Sequence, residues 1–227
     1  MSFDCIEGIS KSGVVSMRSS SHAWSRVASF VSAALLCLSF GSVRSAELAA
    51  TEFSRFANIG PQVGAGQSRT LLPDGRWLFI DGDTIETKAD EKTSRLPAKL
   101  MYPRSSHTAT VLPDGTVLIL GGVDANGTTV SAAEVLDPIT GEITVIGNSG
   151  LTPRSRHTAT LLTDGYVLVS GGVSASGEAL REAQLWNPDT QRVEPVSNAM
   201  LEPRAHHSAA LLADGKGLIW GGQDGGG

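Results

Sequence analysis

The feature that most constrains this chain is repetition at a fixed spacing. Residues 103–123 read Pro-Arg-Ser-Ser-His-Thr-Ala-Thr-Val-Leu-Pro-Asp-Gly-Thr-Val-Leu-Ile-Leu-Gly-Gly-Val, and the pattern returns fifty residues later and again after another fifty. Residues 103–122 match residues 153–172 at 14 of 20 positions, and the latter match residues 203–222 at 11 of 20. The register holds throughout: Arg104, Arg154 and Arg204; His107, His157 and His207; Asp114, Asp164 and Asp214; Gly121, Gly171 and Gly221. Such a period signals a repeat architecture, in which each copy is one supersecondary unit that buries its faces only against its neighbours.

Within one copy the pattern is that of short strands. Residues 107–112 read as a first strand and Pro113-Asp114-Gly115 as a hairpin turn, because proline presets φ and glycine accepts a positive φ. Residues 116–120 are then a second, antiparallel strand, apolar almost without interruption, as suits a strand covered on both faces. After Gly121-Gly122 and a polar loop, residues 132–136 and 142–146 give a third and a fourth strand around the turn Asp137-Pro138. The next copy repeats this with residues 182–186 and 192–196. Pro195 in its last strand places that strand at a sheet edge. Four antiparallel strands per fifty residues is the unit of a propeller blade, and small residues in the first strand (Thr108, Ala109, Thr110) fit the narrow inner part of such a blade.

Taken together, Arg-x-x-His-[Thr/Ser]-Ala, Asp-Gly, an apolar run into Gly-Gly, and then Asp/Asn-Pro resemble the kelch repeat. The bacterial form resembles the propeller domain of galactose-oxidase-like proteins. The resemblance covers residues 64–222 and implies an all-β fold: a β-propeller of kelch-type four-stranded antiparallel blades, incomplete or open. The chain departs from the family after Gly-Gly, where two spaced aromatics are usual. Leu136 or Trp186 holds the first place and Ile143 or Val193 the second.

The organisation expected along the chain follows. Residues 1–45 read as a secretory signal peptide, with Met17 as an alternative start. Arg18 and Arg26 precede a 14-residue apolar run (27–40), and small residues follow it. That run is short for a membrane span, and Leu36 before Cys37 does not suit a lipoprotein anchor. Residues 46–63 form a lead-in whose Phe53, Phe56 and Ile59 could pair onto the last blade. The blades are expected at 64–100, 101–150, 151–200 and, in part, 201–227. The first is degenerate, with poorly defined outer strands over 85–99. The last is expected to hold only its two inner strands. The expected localisation is secreted or periplasmic. Cleavage near Ser45 removes Cys5 and Cys37, leaving no thiol or disulfide chemistry, and leaves 14 basic against 21 acidic residues, or −7. No basic surface points to nucleic acid, and no membrane contact is expected beyond the export signal.

Candidate sites come with plainer alternatives. The resemblance places Arg104, Arg154 and Arg204 beside the mouth of the central channel, where they would form a ring of cationic donors for carboxylate or sulfate groups. The alternative is that each bonds carbonyls within the sheets. Recurrence in every copy favours that structural role. Arg156 and His206 break the repeat and are the better ligand-binding candidates. His107, His157 and His207 recur around a ring and so diverge rather than converge on a metal. Residues 123–128 carry oxygen ligands like part of a calcium loop, but lack the spaced glutamate of the full motif. The resemblance also implies a test of oxidase chemistry. Galactose-oxidase-like enzymes use copper, two tyrosines, two histidines and a cysteine, whereas the mature chain has no cysteine and only Tyr102 and Tyr166. No Gly-x-Ser-x-Gly nucleophile motif or phosphate loop is present. The expectation is a non-enzymatic binding module without cofactor or metal, part of a larger protein, taking a protein or glycan ligand and able to pair half-rings into a homodimer. The alternatives are an oxidase-like fragment lacking its catalytic residues and a truncated reading frame.

Overall fold

The computed structural model describes residues 3–10, 13–16, 64, 66–90, 92–196, 200 and 202–224. They belong to one compact unit comprising residues 1–17 and 63–227, and the second unit, residues 18–62, lies outside the described residues. The described chain is all-β. In order, its strands are β1 (Phe3–Ser10), β2 (Gly13–Ser16), β3 (Ser68–Leu71), β4 (Trp77–Ala89), β5 (Lys92–Arg104), β6 (Thr108–Val111), β7 (Val117–Leu120), β8 (Ala133–Leu136) and β9 (Ile143–Ile146). They continue with β10 (Arg154–Ser155), β11 (Thr158–Leu161), β12 (Val167–Ser170), β13 (Val173–Ser174), β14 (Ala183–Asn187), β15 (Arg192–Pro195), β16 (Ala205–Leu211) and β17 (Gly217–Gln223). Among the described residues all pairings are antiparallel, and no sheet closes into a barrel.

Each copy of the repeat builds one main sheet, and β10 and β13 of the third copy pair as a separate two-stranded ribbon. The first is β3-β4-β5, the second β6-β7-β8-β9, the third β11-β12-β14-β15 and the fourth β16-β17-β1-β2. The hairpin between the first two strands recurs because Asp-Gly enforces it. Gly115 stands at φ 87, its N–H donates to Leu112 O, and Leu112 N–H donates to Thr116 O. Asp114 Oδ1 accepts from Thr116 N–H at 2.9 Å. This is the three-residue hairpin with a left-handed glycine at its end. Pro195 does lie in the edge strand of its sheet.

First strands lie side by side, β3 against β6, β6 against β11 and β11 against β16, so the sheets stack face to face. Between the first and second sheets, Leu78, Ile80 and Ile85 pack on Val117, Ile119 and Leu136. Between the second and third, Leu118 and Leu120 pack on Val167, Val169 and Trp186. Strands β7 and β12 are therefore buried along their whole length, as their unbroken apolar runs require.

Two expectations are corrected at the ends. The first sheet is not frayed. Strands β4 and β5 form a long hairpin, because Ile85, Leu96, Ala98 and Leu100 put apolar groups on one face, against the second sheet. The other face is charged, with Lys99 Nζ on Asp83 Oδ2 at 2.5 Å. The fourth sheet also has its outer strands. Strand β1 pairs with β17, Phe3 opposite Trp220 and Ile6 opposite Gly217, and β2 pairs with β1. Part of the stretch read as an export signal thus satisfies the free edge of β17, while the pairing expected from residues 53–59 lies outside the described residues.

Candidate ligand-facing row

The Arg-x-x-His motif opens the first strand of the second, third and fourth sheets, and its two fixed residues point inward. Arg104 is 1% exposed. Its Nε donates to Tyr102 O at 3.0 Å, its Nη1 to Gly121 O and Ala132 O at 3.1 and 3.0 Å, and its Nη2 to Glu134 Oε1 at 2.6 Å. One guanidinium thus straps the lead of the first strand to the end of the second and the start of the third. Glu134, also buried, accepts the N–H groups of Met101 and Tyr102 as well. Arg154 repeats the strap on Thr152 O, Gly171 O and Glu182 O, with Gln184 Oε1 at 2.8 Å and Glu182 Oε2 at 3.1 Å. Arg204 is 4% exposed and reaches Gly221 O at 3.1 Å. Burial lowers the pKa of both Arg104 and Arg154, the latter to about 10, while Glu134 and Glu182 respectively oppose the shift. The ring of cationic donors that the resemblance implies is, in this structure, turned into the sheets: Arg104 and Arg154 are acceptor-matched straps of their own sheets, and Arg204 is buried with Nη1 on Gly221 O.

The histidines join neighbouring sheets. His107 Nε2 hydrogen-bonds Ser68 Oγ at 2.7 Å, His157 Nε2 bonds Thr108 Oγ1 at 3.0 Å, and His207 Nε2 bonds Thr158 Oγ1 at 2.9 Å. All three are buried, and their Nδ1 atoms have no hydrogen-bond partner. Burial, then the adjacent strap arginine, pushes His107 and His207 down to about 4 and His157 to about 3. They are therefore neutral at ordinary pH. The Gly-Gly pair completes the joints between the second and third and the third and fourth sheets. Gly122 N–H donates to Arg154 O and Gly172 N–H to Arg204 O. A Cβ on Gly121 would lie 2.5 Å from Arg154 O and 2.6 Å from His157 Cε1, so only glycine lets the next sheet seat.

The residue just before each histidine behaves differently. Ser106, Arg156 and His206 stand at φ 55, 55 and 54, in the left-handed region, and Gly66 holds the matching place in the first sheet at φ 84. Ser106 N–H donates to Gly66 O, Arg156 N–H to Ser106 O and His206 N–H to Arg156 O. A single file of backbone hydrogen bonds thus crosses all four sheets. The motif's fixed residues are buried on either side of it, and the left-handed turn throws the intervening side chain outward. The side chains of Arg156 and His206 are exposed and make no hydrogen bond or ion pair among the described residues. The row can offer a guanidinium, an imidazole and the Ser106 hydroxyl from a rigid backbone. The irregularity of residues 156 and 206 is visible in sequence. Their positive φ, and the place of Ser106 in the same row, are not.

The remaining candidates serve turns. Asp124 Oδ1 accepts from Asn126 and Thr128 N–H at 2.8 and 2.9 Å, which occupies the carboxylate of the calcium-like stretch. Among the described residues, no group of three or more His, Cys, Asp or Glu stands close enough to hold a metal ion.

No family model and no curated protein matches the chain. Among solved structures it is similar to that of YjhT, at 14% identity and a TM-score of 0.57, over 66% of this chain and 54% of that one. The chain spans about half the length of that structure. At this identity the likeness is one of fold.

Proposed function

We propose that the chain is a segment of a kelch-type β-propeller that works outside the cytoplasm as a binding module, with the row Ser106, Arg156 and His206 as its ligand face. The observation that carries this reading is the division of labour within one motif. Arg and His at the fixed positions are consumed by straps and joints, while Arg156 and His206 are held out on a rigid spine with nothing to bond. A sheet-stacking fold similar to YjhT and the kelch-like repeat support the architecture. A solvent-facing guanidinium beside an imidazole suits an anionic group on a glycan or protein, and the reading includes neither catalysis nor a cofactor.

Binding to a glycan array and to acidic peptides tests it. Arg156→Ala should abolish any signal while leaving the melting temperature within a degree or two of wild type. Arg104→Ala should lower the melting temperature sharply. Binding that survives both Arg156→Ala and His206→Ala places the ligand elsewhere. Export is tested separately. Cleavage near Ala46 would remove β1 and β2 from the fourth sheet. Mass spectrometry of the native protein should find that N-terminus, and finding nothing but an intact Met1 or Met17 terminus on cytoplasmic protein would sink that part.

A further inference from the structure

The third and fourth strand places of the sheets are filled in two ways. In the second and third sheets the residues that follow take them, β8 and β9 beyond β7, and β14 and β15 beyond β12. In the fourth sheet they are taken by residues 3–16. Phe3, Asp4, Cys5 and Ile6 lie opposite Trp220, Ile219, Leu218 and Gly217, and Ile6 and Glu7 lie opposite Ser16 and Val15 of β2. Both edges of β1 are thus hydrogen-bonded, and β17 has β16 on its other side.

These two strands adjoin the export features in sequence, on the side that does not cross. Residues 1–17 belong to the same compact unit as residues 63–227. Arg18 and Arg26 then precede the apolar run 27–40. A signal peptide inserts with its charged end held on the cytoplasmic side, while the residues after the apolar run are drawn across. In a molecule that exports its repeats, β1 and β2 are left on one side of the membrane and β17 on the other. The pairing of β1 with β17 and export are therefore mutually exclusive. Met17 divides the two roles. A chain begun there keeps Arg18, Arg26 and the apolar run and omits both strands.

We propose that residues 3–16 are a retention hairpin that gives this protein a second, cytoplasmic form. The inference rests on the export reading. A chain begun at Met1 closes β1 onto β17 and stays in the cytoplasm, because a strand bonded on both edges has to open before β17 can cross. A chain begun at Met17 is exported and processed. The choice of start thereby sets the location of one and the same repeat domain.

Fractionation of a Gram-negative host tests this with three chains. The full-length chain with Met17→Leu makes the long form alone and should be found in the cytoplasm with its N-terminus intact. The chain begun at Met17 should be found outside the cytoplasm, beginning near Ala46. The third is the full-length chain carrying Met17→Leu, Asp4→Pro and Cys5→Pro. It loses one N–H toward each neighbour of β1, and proline is not tolerated in a central strand. Export should return, and material left inside should lose amide-exchange protection over residues 217–220 while keeping it over 117–120. Export of the Met17→Leu chain equal to that of the chain begun at Met17 overturns the proposal. So does retention of the proline variant with residues 117–120 still protected, since the length ahead of the signal, not the pairing, would then hold it. A chain begun at Met17 that stays inside unprocessed sinks the export reading and the hairpin's role with it, whereas the first two results leave export standing.

Discussion

Arg104 and Arg154 hold equivalent places and bond equivalent carbonyls, yet the charge that balances each comes from a different side. In the second sheet the carboxylate is Glu134, fully buried and 2.6 Å from Arg104. In the third, Gln184 fills that place and the carboxylate moves two residues back to Glu182, whose side chain is 47% exposed. The residue matching Glu182 in the second sheet is Ala132. The repeat therefore demands a cage of oxygen acceptors around the guanidinium, not a fixed ion pair. A buried pair loses both hydration shells, and removing one partner strands the other charge. The second sheet should thus depend on its carboxylate far more than the third does.

Acid should have the largest effect, and it should not discriminate between the two sheets, because His157 joins them. The joint histidines have folded pKa values of about 4, 3 and 4, below the ordinary value of about 6.5. The unfolded chain then binds more protons, so stability is full above about pH 6.5 and falls as pH drops toward about 4. Each histidine contributes a slope of at most about 1.4 kcal/mol per pH unit. Thermal unfolding from pH 7.5 to 4.5 measures it, and His157→Gln should remove about a third of the slope. An unchanged slope would mean the joints are not where the protons go.

The direct contrast comes next. Glu134→Ala should cost about 3–5 kcal/mol, whereas Gln184→Ala, which removes an uncharged acceptor of bonds from Arg154 Nη2 and Thr152 N–H, should cost about 1–3 kcal/mol. Equal losses in chemical denaturation would break the comparison. A transplant sharpens it. Glu134→Gln alone leaves Arg104 without a counter-charge, and adding Ala132→Glu rebuilds the third sheet's arrangement in the second. The double variant should return to within about 2 kcal/mol of wild type and be more stable than Glu134→Gln alone. The smallest effect concerns Trp186, which occupies the place of Leu136. It is 1% exposed, and its Nε1 has no partner. Trp186→Phe trades lost packing against a relieved orphan donor and should shift stability by no more than about 1 kcal/mol.

Much of the local structure was legible. The Asp-Gly hairpins, the strand order within a repeat and the edge position of Pro195 follow from turn chemistry and period-two patterning, and strands β6 to β9 fall within a residue of their expected ends. What was not legible depends on partners distant in sequence. Nothing local says that Arg104 will meet Glu134 thirty residues on, or that Gly121 must admit His157. The hairpin of β4 and β5 was hidden because its apolar residues are spread among charges, and only the neighbouring sheet makes them a face. The row through residues 106, 156 and 206 was half visible. Broken repetition marked Arg156 and His206, but their exposure arises from a backbone conformation that carries no residue signature when serine, arginine and histidine all adopt it.

That row also bears on how such a protein can change. A left-handed position excludes β-branched side chains and favours glycine and asparagine, but it is otherwise indifferent to chemistry. Because the hydrogen bonds of the spine are made by backbone alone, residues 106, 156 and 206 can be randomised without disturbing a strap or a joint. A library restricted to these three positions should remain folded for most members other than Pro, which lacks the spine's N–H donor and cannot take a positive φ, and Val, Ile and Thr. Selection on such a library would explore recognition almost independently of stability, with the scaffold inherited unchanged.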